Sequence, residues 1–211
     1  MMLTAWVKRT LPVFTGISAM LLLLGGCETN YTAAGDLKGT VPDDYNYIIG
    51  PGDSLNIFVW RNPELSQSVP VRPDGKISVP LVEDLQASGK TSTELAREVE
   101  EVLSTYVKDP LVTVIVGGFV GVFGDQIRVV GEAAQPQALP YRAQMTVLDV
   151  MIAVGGLTEF AAGNNARLIR QVDGKQEIGA LRLEDLLRDG DISANVPVVP
   201  GDILIIPEAW F

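Results

Sequence analysis

The sequence has no histidine and a single cysteine, and its 16 lysines and arginines are outnumbered by 26 aspartates and glutamates over 211 residues. Each shortage removes a class of function. Without histidine there is no Ser-His-Asp or Cys-His centre, and no His-ligated zinc or haem. One cysteine allows neither an intrachain disulfide nor a Cys-rich metal cluster. A formal charge of −10 and a pI near 4.5 leave too few clustered cations to neutralise phosphates, so nucleic acid is not an expected partner. Neither a metal nor another cofactor is expected. What is present is 47% hydrophobic residues, 21 Gly and 13 Pro, with a mean hydropathy of +0.23. That is the composition of a folded chain with a real core, and its acid–base chemistry is confined to carboxylates.

Apolar length is also limited. The run from Leu11 to Leu24 follows the basic pair Lys8-Arg9, is interrupted by Pro12 and Gly16, and ends in Gly25-Gly26-Cys27. It is shorter than the roughly 20 residues a transmembrane helix needs and suits a signal-peptide core. Leu24-Gly25-Gly26-Cys27 resembles a bacterial lipobox: two small residues admit the peptidase, and the Cys27 thiol is the nucleophile for lipid transfer. Residues 1–26 are therefore expected to be a signal peptide, and Cys27 a lipidated N-terminus that holds the protein on a membrane. Removing residues 1–26 leaves 185 residues and moves the net charge to −12. Glu28, where many inner-membrane lipoproteins carry Asp, favours the outer membrane, with the protein facing the periplasm.

Residues 27–44 show no periodic apolar pattern and are expected to be a tether. Gly50-Pro51-Gly52-Asp53 has type II turn chemistry and leads into a strand, with Leu55, Ile57 and Val59 on one face. Arg72-Pro73-Asp74-Gly75, between Val69/Val71 and Ile77/Val79, reads as a hairpin turn. Thr91-Ser92-Thr93-Glu94 matches a capping box, followed at helical spacing by Leu95, Val99, Val102, Leu103 and Tyr106. Leu111 to Val116, apolar on both faces, reads as a central strand. Residues 118–126, with Gly118, Gly121 and Gly124, read as a Gly-rich linker. A second unit over residues 127–207 opens with a strand at Ile127 to Gly131. Pro136 and Pro140 bracket a turn, and a helix capped by Thr146 follows, with Val147, Leu148, Met151 and Ile152 as its stripe and Gly155-Gly156 as its end. Asp173-Gly174 joins two strands, Leu183 to Leu187 is a short helical turn, and Pro200-Gly201-Asp202 repeats the design of Pro51-Gly52-Asp53 before a last strand. Residues 208–211 are left as a tail. The fold class is α+β: two small domains, the first with mixed strands and one amphipathic helix.

Candidate chemistry is sparse. Asp53, Asp74, Asp173, Asp189 and Asp202 sit beside Gly or Pro, where Asp caps its own backbone. Glu83 and Asp84 could serve a glycan hydrolase or lyase, which needs two carboxyls at fixed separation. Arg188-Asp189-Gly190-Asp191 lacks calcium-loop spacing, and no phosphate-binding glycine pattern follows a strand. Arg61, Arg72 and Lys76 read as a solvated basic face.

Several motifs resemble one known family. Tyr47-Ile48-Ile49-Gly50-Pro51-Gly52-Asp53, Val59-Trp60, Pro63-Glu64-Leu65-Ser66, Val71-Arg72-Pro73-Asp74-Gly75-Lys76-Ile77, Pro80-Leu81-Val82 and Asp109-Pro110 are similar to the polysaccharide export domain. Val130-Gly131-Glu132, Pro136, Leu148-Asp149 and Ala153-Val154-Gly155-Gly156-Leu157 resemble the soluble-ligand-binding β-grasp domain that follows it in outer-membrane polysaccharide export lipoproteins. The ending Ile206-Pro207-Glu208-Ala209-Trp210-Phe211 is similar to the PEP-CTERM/exosortase-associated subgroup. The resemblance implies a non-catalytic component of an exopolysaccharide export channel. It also implies a ring-like homo-oligomer, an inner-membrane polysaccharide copolymerase as partner, and the exported polysaccharide as cargo. A monomeric glycan-binding lipoprotein is the other binding alternative. Two departures stand out: Gln137 occupies a place where glycine is usual, and the chain stops at Phe211, before the pore helix of long members. A separate outer-membrane pore protein is therefore expected.

Overall fold

A computed structural model describes residues 31–38 and 45–210. The proposed signal peptide, Cys27 and most of the tether lie outside the described residues. In chain order the strands and helices are β1 (Thr32–Ala33), β2 (Ser54–Val59), β3 (Gln67–Pro70), β4 (Lys76–Val79), β5 (Val82–Gln86), α1 (Ser92–Leu103) and β6 (Val112–Gly118). They continue with β7 (Ile127–Gly131), β8 (Ala138–Leu139), α2 (Val147–Ala153), β9 (Ala166–Val172), β10 (Lys175–Leu181), α3 (Leu183–Leu187) and β11 (Ile203–Ile206). The fold is α+β with two hydrophobic cores inside one compact unit.

The first core lies under a three-stranded sheet of order β3-β2-β6, with the β4-β5 hairpin and α1 closing it. Alternation in β2 sends Leu55, Ile57 and Val59 inward and Asn56 and Phe58 outward. The α1 capping box forms as expected: Glu94 N–H donates to Thr91 Oγ1 at 3.2 Å, and Thr91 N–H donates to Glu94 Oε2 at 2.8 Å. Leu95, Val99 and Leu103 then face the core, but Tyr106 lies beyond the end of α1 and is exposed, because the helix stops at Leu103.

Two strand expectations are corrected. Among the described residues β6 pairs only with β2, so it is an edge strand, and Ile115 on its outer face and Leu111 just before it are exposed. Its apolar composition reflects an uncovered face and not burial between two layers. The Arg72–Gly75 turn exists, with Gly75 N–H donating to Arg72 O at 2.8 Å and Arg72 N–H to Lys76 O at 2.9 Å. The strands it joins are not a hairpin, however: β3 pairs with β2, while β4 pairs with β5 across Pro80-Leu81.

The second core sits between α2, α3 and a six-stranded mixed sheet of order β1-β10-β9-β11-β7-β8. β11 occupies its middle, parallel to β7 and antiparallel to β9, and Leu204 and Ile206 are buried. β9 and β10 pair across Asp173-Gly174, both at positive φ, as the hairpin turn requires. In α2 the buried stripe is Val147, Val150 and Met151; Ile152, placed in the stripe on sequence grounds, is exposed. Residues 31–38 differ from a free tether. Thr32–Ala33 adds to β10 as a parallel strand and Ala34 joins the core, because Gly179 leaves room there: a Cβ at 179 would lie 2.6 Å from Ala34 Cα.

Candidate functional site

The chain passes between the cores at residues 45–50 and again at 118–126, and one buried carboxylate ties the two passages together. Asp53 accepts from Gly50 N–H at 2.9 Å, as a turn aspartate should, and then reaches across the junction. Val120 N–H and Gly121 N–H donate to its Oδ1 at 2.6 and 3.0 Å, and the Tyr47 hydroxyl lies 2.8 and 2.7 Å from its two oxygens. A fully buried carboxylate is tolerated because every lone-pair direction meets a donor. Gly50 is needed at this crossing, since a Cβ there would fall 1.9 Å from Gly121 O. The segment 118–126 is thus pinned by long-range bonds and is not a free glycine linker.

Asp202 repeats the device. In both turns the aspartate N–H donates to the carbonyl three residues back, Gly50 or Val199, at 3.2 Å. The carboxylate in turn accepts from the N–H of that same residue at 2.9 Å. Gly52 and Gly201 both have positive φ. The remaining capacity differs. Asp202 is met by the buried Arg170 guanidinium, with Nε at 3.0 Å and Nη2 at 2.7 Å, and Nη2 also donates to Pro197 O at 3.0 Å. Sequence pattern located both aspartates, but neither long-range partner was visible in it.

Around the Asp53 crossing the surface opens into an aromatic cleft of about 490 Å³, lined by Tyr45, Tyr47, Phe119, Pro140, Tyr141 and Arg142. Tyr45 meets Tyr141 edge-on at 4.9 Å between ring centroids, and Tyr47 meets Phe119 edge-on at 5.2 Å. Burial, then the nearby Asp125 carboxylate, pushes the Tyr45 phenol up to about 12. Burial, then the hydrogen bond to Asp53, pushes Tyr47 up. Burial likewise raises Tyr141, whose hydroxyl is enclosed without a hydrogen-bond partner among the described residues. These phenols stay neutral at physiological pH, so the cleft presents ring surface with Arg142 at its rim. That is binding chemistry, built from residues 45, 119, 141 and 142, which sequence reasoning did not single out. The available signal was aromatic residues beside turn-forming Gly118, Gly121 and Pro140.

The motif residues chosen from sequence do not converge on this cleft as a group. Asp53 braces the cleft through Tyr47 and Gly50 lies against Gly121, while Pro51 and Gly52 are exposed on the turn. Arg72 instead forms ion pairs with Asp74 and Asp84 on the first domain's surface, while Pro73 and Gly75 shape that turn. Gly131 lies against β11, where a Cβ would meet Ile206 O at 2.0 Å. Pro136 is exposed between β7 and β8, and Gly155 and Gly156 end α2 at positive φ. Glu83 and Asp84 are exposed, and the Arg72 guanidinium holds the Asp84 carboxyl below its ordinary range, which suits a surface ion pair better than a proton donor. Among the described residues, no group of three or more Cys, Asp or Glu could hold a metal ion, and no helix is long and apolar enough to cross a membrane.

The two cores correspond to two recognisable modules. Residues 41–117 match the family of polysaccharide biosynthesis/export proteins, and residues 126–179 match the SLBB domain. The two matches together cover more than half of the chain, which belongs to the polysaccharide export family. Among its relatives is the EPS I polysaccharide export outer membrane protein EpsA of Ralstonia nicotianae, 27% identical over 95% of this chain and 58% of that protein. The protein of the same name from Ralstonia solanacearum is 30% identical over 75% of this chain and 47% of its own length. The exopolysaccharide production protein ExoF of Rhizobium meliloti is 31% identical over 59% of this chain and 31% of that protein. The chain thus spans about half the length of the two EpsA proteins it matches.

Proposed function

We propose that this protein is a non-catalytic component of an exopolysaccharide export system, anchored to the outer membrane by lipid on Cys27 and facing the periplasm. The observation that carries the reading is the joining of an export module and an SLBB module in one compact unit, in the order the family models match. The likeness to proteins named for exopolysaccharide export and production supports it. A binding cleft of neutral phenols and one guanidinium suits a protein that conducts polymer without breaking it. Self-association into a ring is part of the proposal. The outer face of the three-stranded sheet supports it, because Phe58, Trp60, Leu111 and Ile115 are all exposed beside the β6 edge. An inner-membrane polysaccharide copolymerase would deliver the chain from the other side of the periplasm.

Gene deletion tests this directly. Secreted polymer should disappear on deletion and return with the wild-type gene, whereas Cys27→Ser should release the protein from the membrane fraction and fail to restore secretion. A deletion strain that secretes normal amounts of polymer overturns the reading.

A further inference from the structure

The aromatic cleft is not isolated. A second cleft, of about 570 Å³, lies against the start of α1 and shares Tyr47 and Phe119 with it. A third, of about 530 Å³, runs along α2 and shares Pro140 and Arg142. Each is within the range of about 300–1,000 Å³ usual for a single small-molecule site, so three in succession suit a chain and not one sugar. We infer that these clefts form one track across both modules, binding an extended segment of several sugars, with one sugar ring stacked on Phe119 beside Tyr47, and Arg142 hydrogen-bonded to it. This rests on the export reading above and assigns the residues that touch the cargo.

The chemistry along the track alternates as a glycan's does. Asn46, Ser92 and Thr93 give one end side-chain amide and hydroxyl groups, and Gln144 and Asp149 give the other an amide and a carboxylate. The middle is ring surface. A pyranose has an apolar face of C–H groups and an equatorial rim of hydroxyls, so it stacks on an aromatic ring while its rim reaches polar neighbours. Because Tyr47 is already bonded to Asp53 and the Tyr141 hydroxyl is enclosed, both contribute ring area and leave hydrogen bonding to Arg142 and the two ends. Phe119 and Arg142 are exposed; the Phe119 ring meets Tyr47 edge-on, and the Arg142 side chain makes no ion pair among the described residues.

The test uses the full-length lipoprotein in detergent and oligosaccharides prepared by partial hydrolysis of the polymer its host secretes, with affinity read by calorimetry. Phe119→Ala and Arg142→Ala should each weaken binding about tenfold or more, with thermal melting unchanged in Arg142→Ala and only slightly lowered in Phe119→Ala, which loses its edge-on contact with Tyr47. Tyr106→Ala, at an exposed aromatic beyond the end of α1 that lines none of the three clefts, should leave affinity unchanged. The track is overturned if wild-type protein binds no oligosaccharide, if both cleft variants bind as wild type, or if Tyr106→Ala weakens binding as much as they do. The same variants expressed in the deletion strain separate the two readings. Normal secretion without the gene removes the export reading, whereas lost secretion on deletion, with cleft variants that bind as wild type, removes the track alone.

Discussion

Asp53 and Asp202 occupy matching turns, and each would be an ordinary turn residue if its carboxylate stopped at its own backbone. What distinguishes them is burial, which makes every unsatisfied lone pair costly. Asp202→Ala leaves the Arg170 guanidinium enclosed without its counter-ion, and urea unfolding should show a loss of about 3–5 kcal/mol. Asp53→Asn keeps the shape but turns an amide N–H₂ toward donors that need an acceptor. The expected loss is about 1–3 kcal/mol, and amide exchange at Val120 and Gly121 should accelerate with it. Equal exchange in both proteins would show that Asp53 does not hold the crossing. Pro-Gly-Asp was legible at both sites because the turn needs positive φ at glycine and a local acceptor. The partners Tyr47, Val120 and Arg170 were not, since nothing in a four-residue motif encodes a contact made elsewhere in the chain.

At the scale of elements, local signals served well where the determinants lie within one turn of helix or one hairpin. The capping box at Thr91/Glu94, the N-cap at Thr146 and the Asp173-Gly174 turn formed as the sequence suggested, and the structure completes the Thr146 cap into a second box with Asp149. Thr146→Ala should cost about 1 kcal/mol, since it removes the acceptor for the Asp149 N–H, and thermal unfolding will measure it. Pairing was less legible. An apolar run such as Leu111 to Val116 is equally compatible with a central strand and with an edge strand bearing an exposed apolar face. The segment 31–38 has almost no apolar periodicity, yet it docks because Gly179 lets its backbone approach β10. Gly179→Val should expel it: the Leu37 amide, bonded to Ala34 O at 3.3 Å, should lose its hydrogen-exchange protection while the β9–β10 pairs keep theirs. Retained protection at Leu37 would mean that the segment does not need that gap.

For the whole molecule, the absence of histidine returns as a pH property. Asp84, Glu94, Asp149 and Asp191 all have lowered values, through Arg72, through the Thr91 and Thr146 capping groups, and through Ser193. Their contribution is complete above the ordinary carboxylate range and is lost as pH falls through the lowered folded values. Tyr45, Tyr47 and Tyr141 are raised, burial first, so the fold favours their neutral forms. That contribution is complete below the ordinary phenol value of 10.0 and is lost as pH rises; for Tyr45 the loss runs to about 12. With no imidazole to titrate in between, the urea midpoint should be flat from about pH 6 to about pH 9 and fall at both ends. A slope inside that window would show a coupled group that these interactions do not contain.

By itself the sequence determined the chemistry the protein lacks, the α+β class, both capped helices, the turns and the family, because each of these follows from composition or from residues close together in the chain. Only the tertiary structure decided that the two cores belong to one compact unit, that β6 is an edge, and that Tyr45, Tyr47, Phe119, Tyr141 and Arg142 line one cleft. Those facts depend on which distant segments share a buried carboxylate or a missing Cβ. Asp53 and Gly50 satisfy such conditions for residues 118–126 from about 70 positions away.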